Sequence, residues 1–157
     1  MNYWLLKSDP HDFGWEDLKN QTHRRSMWDG VRNYQARNFL REMRTGDLAF
    51  FYHSSTQPQQ ITGVVKIVRE AYPDFTQFDK HHVNYDLKAS PENPIWFMID
   101  IKFKQDIHPP ITREELKSIA SLQEMLLFKN SRLSVLPVTP DHWDMILNLR
   151  HIEKINP

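Results

Sequence analysis

The sequence predicts an α+β fold: a small mixed β-barrel, closed or partly closed, with peripheral helices. Three observations predict it. About five runs rich in β-branched and aromatic residues read as strands bounded by turn residues. Helical patterns fall between them without regular strand–helix alternation, which argues against a parallel sheet. The chain has 157 residues, of which 39% are hydrophobic and 12% aromatic, so it fits one domain, 1–157, with a real core.

Each element has a local reason. Residues 3–7 read as a short buried strand. Phe13 and Leu18 flank Gly14 at the spacing of a hydrophobic staple, with Glu16 and Asp17 in the first turn of the helix that follows. Asn33 caps a second helix over 33–44, whose Ala36, Phe39, Leu40 and Met43 recur at helical spacing and face inward. Thr45-Gly46-Asp47 stops it and turns into an aromatic strand over 48–53. A β-branched run over 61–68 is the next strand, with Gly63 as a bulge or kink. The polar stretch 72–94 is a surface excursion, and long loops in compact domains are often functional. A strand follows over 95–104. Thr112 and Glu115 are spaced as a capping box, stapled by Ile111 and Leu116, and a second short helix runs through 122–128. A last strand covers 132–138. Thr139 and Pro140 then open a helix that turns Trp143, Ile146 and Leu147 inward, and the tail from 151 frays.

Composition narrows the chemistry. The absence of Cys excludes disulfides and thiol catalysis and suits a reducing, cytoplasmic setting. No apolar run is long enough to cross a membrane, and MNYWLLKSDP lacks the basic-then-apolar order of a leader. The eight His fall in no metal-ligating pattern, so no metal or cofactor is expected. With only 4 Gly there is no phosphate-binding glycine loop, and Ser8, Ser54 and Ser134 lack a nucleophile-elbow context. Acid pairs such as Glu114-Glu115 lie in helix first turns, where the dipole accounts for them.

The most informative stretch is WDGVRNYQARNF, 28–39. Helix packing explains Ala36 and Phe39 but not Trp28, Asp29, Arg32 and Asn33. An aromatic plate, an acceptor and two donors gathered where strand meets helix suit a planar heterocycle with a hydrogen-bonding edge. A buried Trp beside an Asp–Arg ion pair that pins a loop accounts for the same residues. Arg37, Arg41 and Arg44, at i, i+4 and i+7, with Arg24, Arg25 and Arg32 nearby, form either a phosphate-tracking edge or a solvated helix face. Tyr52-His53-Ser54 ends a strand at a loop, where polar groups often point into a site.

The string WDGVRNYQARNFLR resembles the EVE domain family. YWLLKSDP (3–10), GDLAFFYHS (46–54), EAYPD (70–74), NPIWFMIDIKF (93–103) and RLSVLPVT (132–139) agree with it in the same order, so the resemblance spans about residues 2–150. Asp9, Gly14 and Leu136 depart from the usual Glu, Ser and Gln, and the third removes a polar group expected near the site. The resemblance implies a PUA-like fold and a non-enzymatic reader of modified bases, above all modified cytosine in DNA; its relatives by fold include the YTH domains, which hold methylated adenine of RNA. The partner implied is nucleic acid bearing a modified base, bound by a monomer away from membranes. The alternatives are a reader of modified RNA and an enzyme acting on a modified nucleotide.

Trp28, Val31, Arg32, Asn33, Tyr72 and Asp74 stand at matching family positions. In the pocket so implied, Trp28 supplies a stacking face and Tyr72 a second wall. Asp29 or Asp74 accepts from an exocyclic amine, and Arg32, Asn33 or Ser54 donates to ring acceptors, with His53 beside them. Lys7, Ser8, Arg132 and Ser134 line the rim and hold the neighbouring phosphate. Truncating Trp28 is then expected to cost about 1–3 kcal/mol of binding without unfolding the protein. Twenty basic and 20 acidic residues give a net charge of 0, so phosphate contacts number about two to four. The logarithm of affinity for an oligonucleotide should therefore fall shallowly against the logarithm of salt concentration. A slope as steep as that of a strongly basic DNA-binding protein would show that a charged face, and not a pocket, dominates.

Overall fold

Six strands order as β2-β5-β4-β3-β1-β6 in a computed structural model that describes residues 1–156. They are β1 (Tyr3–Ser8), β2 (Arg25–Trp28), β3 (Leu48–His53), β4 (Gln60–Pro73), β5 (Phe97–Thr112) and β6 (Val135–Val138). β1 runs parallel to β3, and the other pairings are antiparallel. The mixed sheet is as expected, but it is not a barrel. β2 and β6 are its two edges and do not pair with each other. Helix α2 (Tyr34–Glu42) packs against β6, β5 and β4, so its apolar stripe takes the buried place that closure would have needed.

The helices begin where their caps predict. In α1 (Trp15–Lys19) the Asp17 carboxylate accepts from the Gly14 amide at 2.7 Å, Phe13 packs on Phe51 and Leu18 is buried. Asn33 Oδ1 accepts from the Ala36 amide at 2.9 Å, and Ala36, Leu40 and Met43 are buried beneath α2. Thr112 caps α3 (Arg113–Lys117) through the Glu115 amide, but the box is only half made. Arg150 donates to both Glu115 carboxylate oxygens, at 2.7 and 2.8 Å, and draws that side chain away. A 3₁₀ turn over Ala120–Glu124 leads into the short α4 (Leu126–Lys129). In α5 (Pro140–Asn148), Trp143 stacks between Phe50 and Tyr3, with ring centroids 4.0 and 4.5 Å away.

Three boundaries differ from expectation for tertiary reasons. β4 continues through its polar half because Arg69, Tyr72 and Pro73 pair with Asp100, Met98 and Phe97 across register shifts. β5 runs on to Thr112 because Gln60 and Ile61 pair with it there. The tail does not simply fray: Ile155 is buried against the core. No helix is long and apolar enough to cross a membrane among the described residues.

Gly63 has a specific job in this sheet. A Cβ there would lie 2.0 Å from Cζ2 of Trp15, whose ring fills the space between Phe51 and Phe103. Trp15 is fixed by its Nε1, which donates to Asp106 at 2.7 Å. Gly63→Ala should therefore cost about 1–3 kcal/mol through forced repacking. Urea unfolding measures this, and a variant as stable as the parent would contradict the packing described.

Candidate nucleobase cleft

The segment 28–33 links β2 to α2 and makes one wall of a cleft of about 790 Å³. Trp28 ends β2 opposite Ile99, with its ring edge-on to Phe51 at 5.4 Å. It lines the cleft yet is only 7% exposed, so most of its surface belongs to the core. Truncation to Ala would remove a core side chain as well as a cleft wall, costing about 3–5 kcal/mol of stability. Trp28 is thus a core side chain as well as a cleft wall, so its truncation costs stability as well as any stacking face.

After Trp28 the chain turns at Gly30, whose φ of +82° suits glycine. The Gly30 amide donates to Asp74 Oδ2 at 2.8 Å, and Arg32 Nη1 donates to the same oxygen at 3.0 Å. The other Asp74 oxygen accepts from the Thr76 amide and hydroxyl. Arg32 reaches further, donating to Thr76 Oγ1 at 3.1 Å and to the Asn84 carbonyl at 3.0 and 3.2 Å. Gln77, itself buried, crosslinks the backbone of Asp74, Ile95 and Trp96. The ion pair that pins the loop is thus Arg32 with Asp74, not with the adjacent Asp29. Asp74 is fully buried and its oxygens are occupied, so it holds the wall and does not face a ligand. Burial raises its pKa, but the Thr76, Gly30 and Arg32 donors outweigh that and leave it lowered.

Other groups are free to meet a ligand. Asn33 spends Oδ1 on its cap, and its Nδ2 has no partner within the chain among the described residues. Asp29 is exposed at the cleft, and Val31 adds an apolar surface. Ser8 and Lys7 also line the cleft, although the Ser8 hydroxyl donates to the Phe13 carbonyl at 2.6 Å. Lys7 and Ser134 also border a second depression of about 600 Å³, where Ser54, Arg113 and Arg132 lie. Burial, and then the charge of Arg113, lowers the pKa of Lys7; an anion bound between these cations would relieve that repulsion.

Besides Asp74, two predicted site residues, Tyr72 and His53, border neither depression. The Tyr72 hydroxyl donates to Asp100 while the Arg69 guanidinium sits 3.5 Å over its ring, so Tyr72 is no second wall. His53 Nε2 accepts from the Trp15 amide at 3.0 Å, which ties it to the start of α1. Burial lowers its pKa, partly offset by Asp17, in keeping with a neutral acceptor ring. Leu136 is a core residue of β6 and borders neither depression, so the departure there removes nothing from the cleft wall. Sequence reasoning missed Phe13, Met27, Val83 and Asn84 as lining residues; the last two sit in the polar excursion, which has no periodicity to read.

An open mixed sheet with a polar and aromatic cleft at a strand–helix junction is the architecture of a PUA-like ligand-binding domain. The chain belongs to the EVE domain family, whose model matches residues 2–149. It is 45% identical to mouse thymocyte nuclear protein 1 over 97% of its own length and 75% of the mouse protein's. The crystal structure of human THYN1 in complex with 5-methylcytosine containing DNA superposes with a TM-score of 0.93 at 43% identity, covering 98% of this chain and 100% of that one. A YTH domain from Zygosaccharomyces rouxii in complex with N6-methyladenosine RNA shares the fold alone, at 13% identity, a TM-score of 0.54 and coverage of 98% and 89% of the two chains.

The lowered pKa of Asp74 sets an acid dependence. Its stabilisation is full above the ordinary carboxyl value of 3.8 and is lost as pH falls through the lower folded value. Asp74→Asn should be about 3 kcal/mol less stable than the parent near neutral pH. That gap should narrow as pH falls from neutral to below the ordinary carboxyl value of 3.8. Chemical denaturation across that range tests it, and a gap independent of pH would refute the charged role.

Proposed function

We propose that this protein is a non-enzymatic reader of modified cytosine in DNA, which takes the base out of its strand into the cleft beside Trp28. The observation that carries this is the cleft, where one wall offers an aromatic edge, an unpaired carboxylate and an unpaired amide donor within six residues of chain. Cytosine presents an exocyclic amine beside ring acceptors, so Asp29 matches the amine and Asn33 Nδ2 an acceptor. Val31 and Trp28 offer apolar surface to a substituent on the ring. The relative crystallised with 5-methylcytosine containing DNA supports the choice of base and polymer.

A methyl group alone gives modest selectivity. Burying one carbon contributes about 0.8 kcal/mol, roughly a fourfold preference. Stronger discrimination needs hydrogen bonds to the edge of the base or to a polar substituent. The second depression continues the first across Lys7 and Ser134, so a strand whose base enters the cleft can lay its phosphate near Lys7, Arg113 and Arg132.

Asn33→Asp separates edge reading from folding. It preserves the cap, because Asp and Asn serve equally there, and replaces a donor with an acceptor. The variant should melt like the parent and lose about 1–3 kcal/mol of its preference for cytosine bases over adenine bases. The measurement is a titration of DNA and RNA oligonucleotides carrying cytosine, methylcytosine, hydroxymethylcytosine, adenine and methyladenine, with mass spectrometry to detect any turnover. Unchanged preference in the folded variant would remove Asn33 from recognition; tighter binding to the RNA set, or a chemical product, would overturn the reading itself.

A further inference from the structure

We propose that Val83 is a wedge that enters the gap left in a DNA duplex when a base moves into the cleft. The inference rests on the reading of a base-binding cleft given above. Val83 is 94% exposed, the most exposed large apolar side chain of those that reach solvent, yet it lines the cleft. A lone exposed apolar residue is ordinary. Its mounting is not.

Asn84, the next residue, presents its carbonyl to Arg32 Nε and Nη2 and takes its amide to His82 Nδ1 at 3.0 Å. Two residues on, Asp86 donates its amide to the Gln77 carbonyl at 3.0 Å and accepts from Trp96 Nε1 at 2.8 Å. The loop is therefore braced immediately after Val83, and the brace is Arg32, the residue that also fixes the cleft wall through Asp74. Cleft and Val83 keep a set separation. A β-branched side chain is stiff at its first torsion, which suits insertion between bases.

The energetics ask for such a part. Extruding a base costs several kcal/mol of pairing and stacking, and proteins that unstack duplexes insert apolar side chains at the vacated step. A chain of net charge 0 has few phosphate contacts to offset that cost. Leu87 supplies a control: it lies on the same loop and is 83% exposed, but does not line the cleft.

The test compares the parent, Val83→Ser and Leu87→Ser on one 5-methylcytosine oligonucleotide, as a matched duplex and as a single strand, by fluorescence anisotropy. A 2-aminopurine next to the modified base reports unstacking. Val83→Ser should weaken duplex binding about tenfold, the loss of one buried Val side chain, and weaken single-strand binding, which needs no wedge, by a clearly smaller factor. The 2-aminopurine signal should rise with the parent and with Leu87→Ser, and not with Val83→Ser. The wedge is overturned if Val83→Ser binds duplex as the parent does, as it would if Val83 served only a protein partner. Equal losses on duplex and single strand, or an equal loss with Leu87→Ser, also overturn it. Failure of the underlying reading looks different: the parent then binds modified cytosine in neither form.

Discussion

The buried contact between Asp74 and Arg32 is the constraint on which the cleft depends. It joins residues 42 positions apart and ties three pieces of irregular chain together: the turn at Gly30, the 3₁₀ turn over Phe75–Phe78 and the loop through Asn84. A buried carboxylate is costly unless every lone pair is used. Here the donors are a backbone amide from each of two segments, a hydroxyl and a guanidinium. Such a contact adds little net stability against an apolar equivalent, but it admits one geometry. The geometry is what a recognition wall needs, since hydrogen-bonding groups read a base only when their positions are fixed.

Trp28 joins this clamp to the core. It closes β2 against Ile99 and meets Phe51, which in turn packs on Trp15 and Phe13. Phe13 in turn lines the cleft. The aromatic centre of the domain and the two walls of the cleft are therefore one packing unit. A site built this way is stiff before a ligand arrives, which lowers the ordering cost of binding. It also means that the core and the cleft share side chains, so that a change at Trp28 disturbs both.

Local chemistry was legible where a few neighbouring residues decide the outcome. The Gly14, Asn33, Thr112 and Thr139 caps are written in short strings, and each helix starts at its cap. The inward stripe of α2 and the strand over residues 48–53 follow from periodicity. What escaped depends on distant partners. Nothing near Arg69 or Asp106 shows that β4 and β5 extend through polar residues, because the pairing across the sheet supplies the reason. Nothing in the strands tells that α2 occupies the place of closure, so a barrel was expected where an open sheet stands. At the site, the string around Trp28 lines a cleft, while of the two acids offered as acceptors Asp29 is exposed there and Asp74 is buried away from it. Arg32 could not be assigned its partner from a string that ends long before Asp74.

The placement of β1 between β3 and β6 has a consequence for how the protein is made. Tyr3–Leu6 pairs with Val135–Val138, so β1 is made before β6 and waits for it before its second edge is covered. Lys7 and Ser134, which meet at the boundary of the two depressions, come together in the same step. Pairings between strands far apart in sequence are slow to form because loop closure precedes any reward. No nascent fragment lacking residues 134–138 carries a finished cleft, because Ser134 lines both depressions. Until then an edge bearing Trp4, Leu5 and Leu6 stays open, which makes the interval before β6 is made the period when this chain most needs shielding from its neighbours.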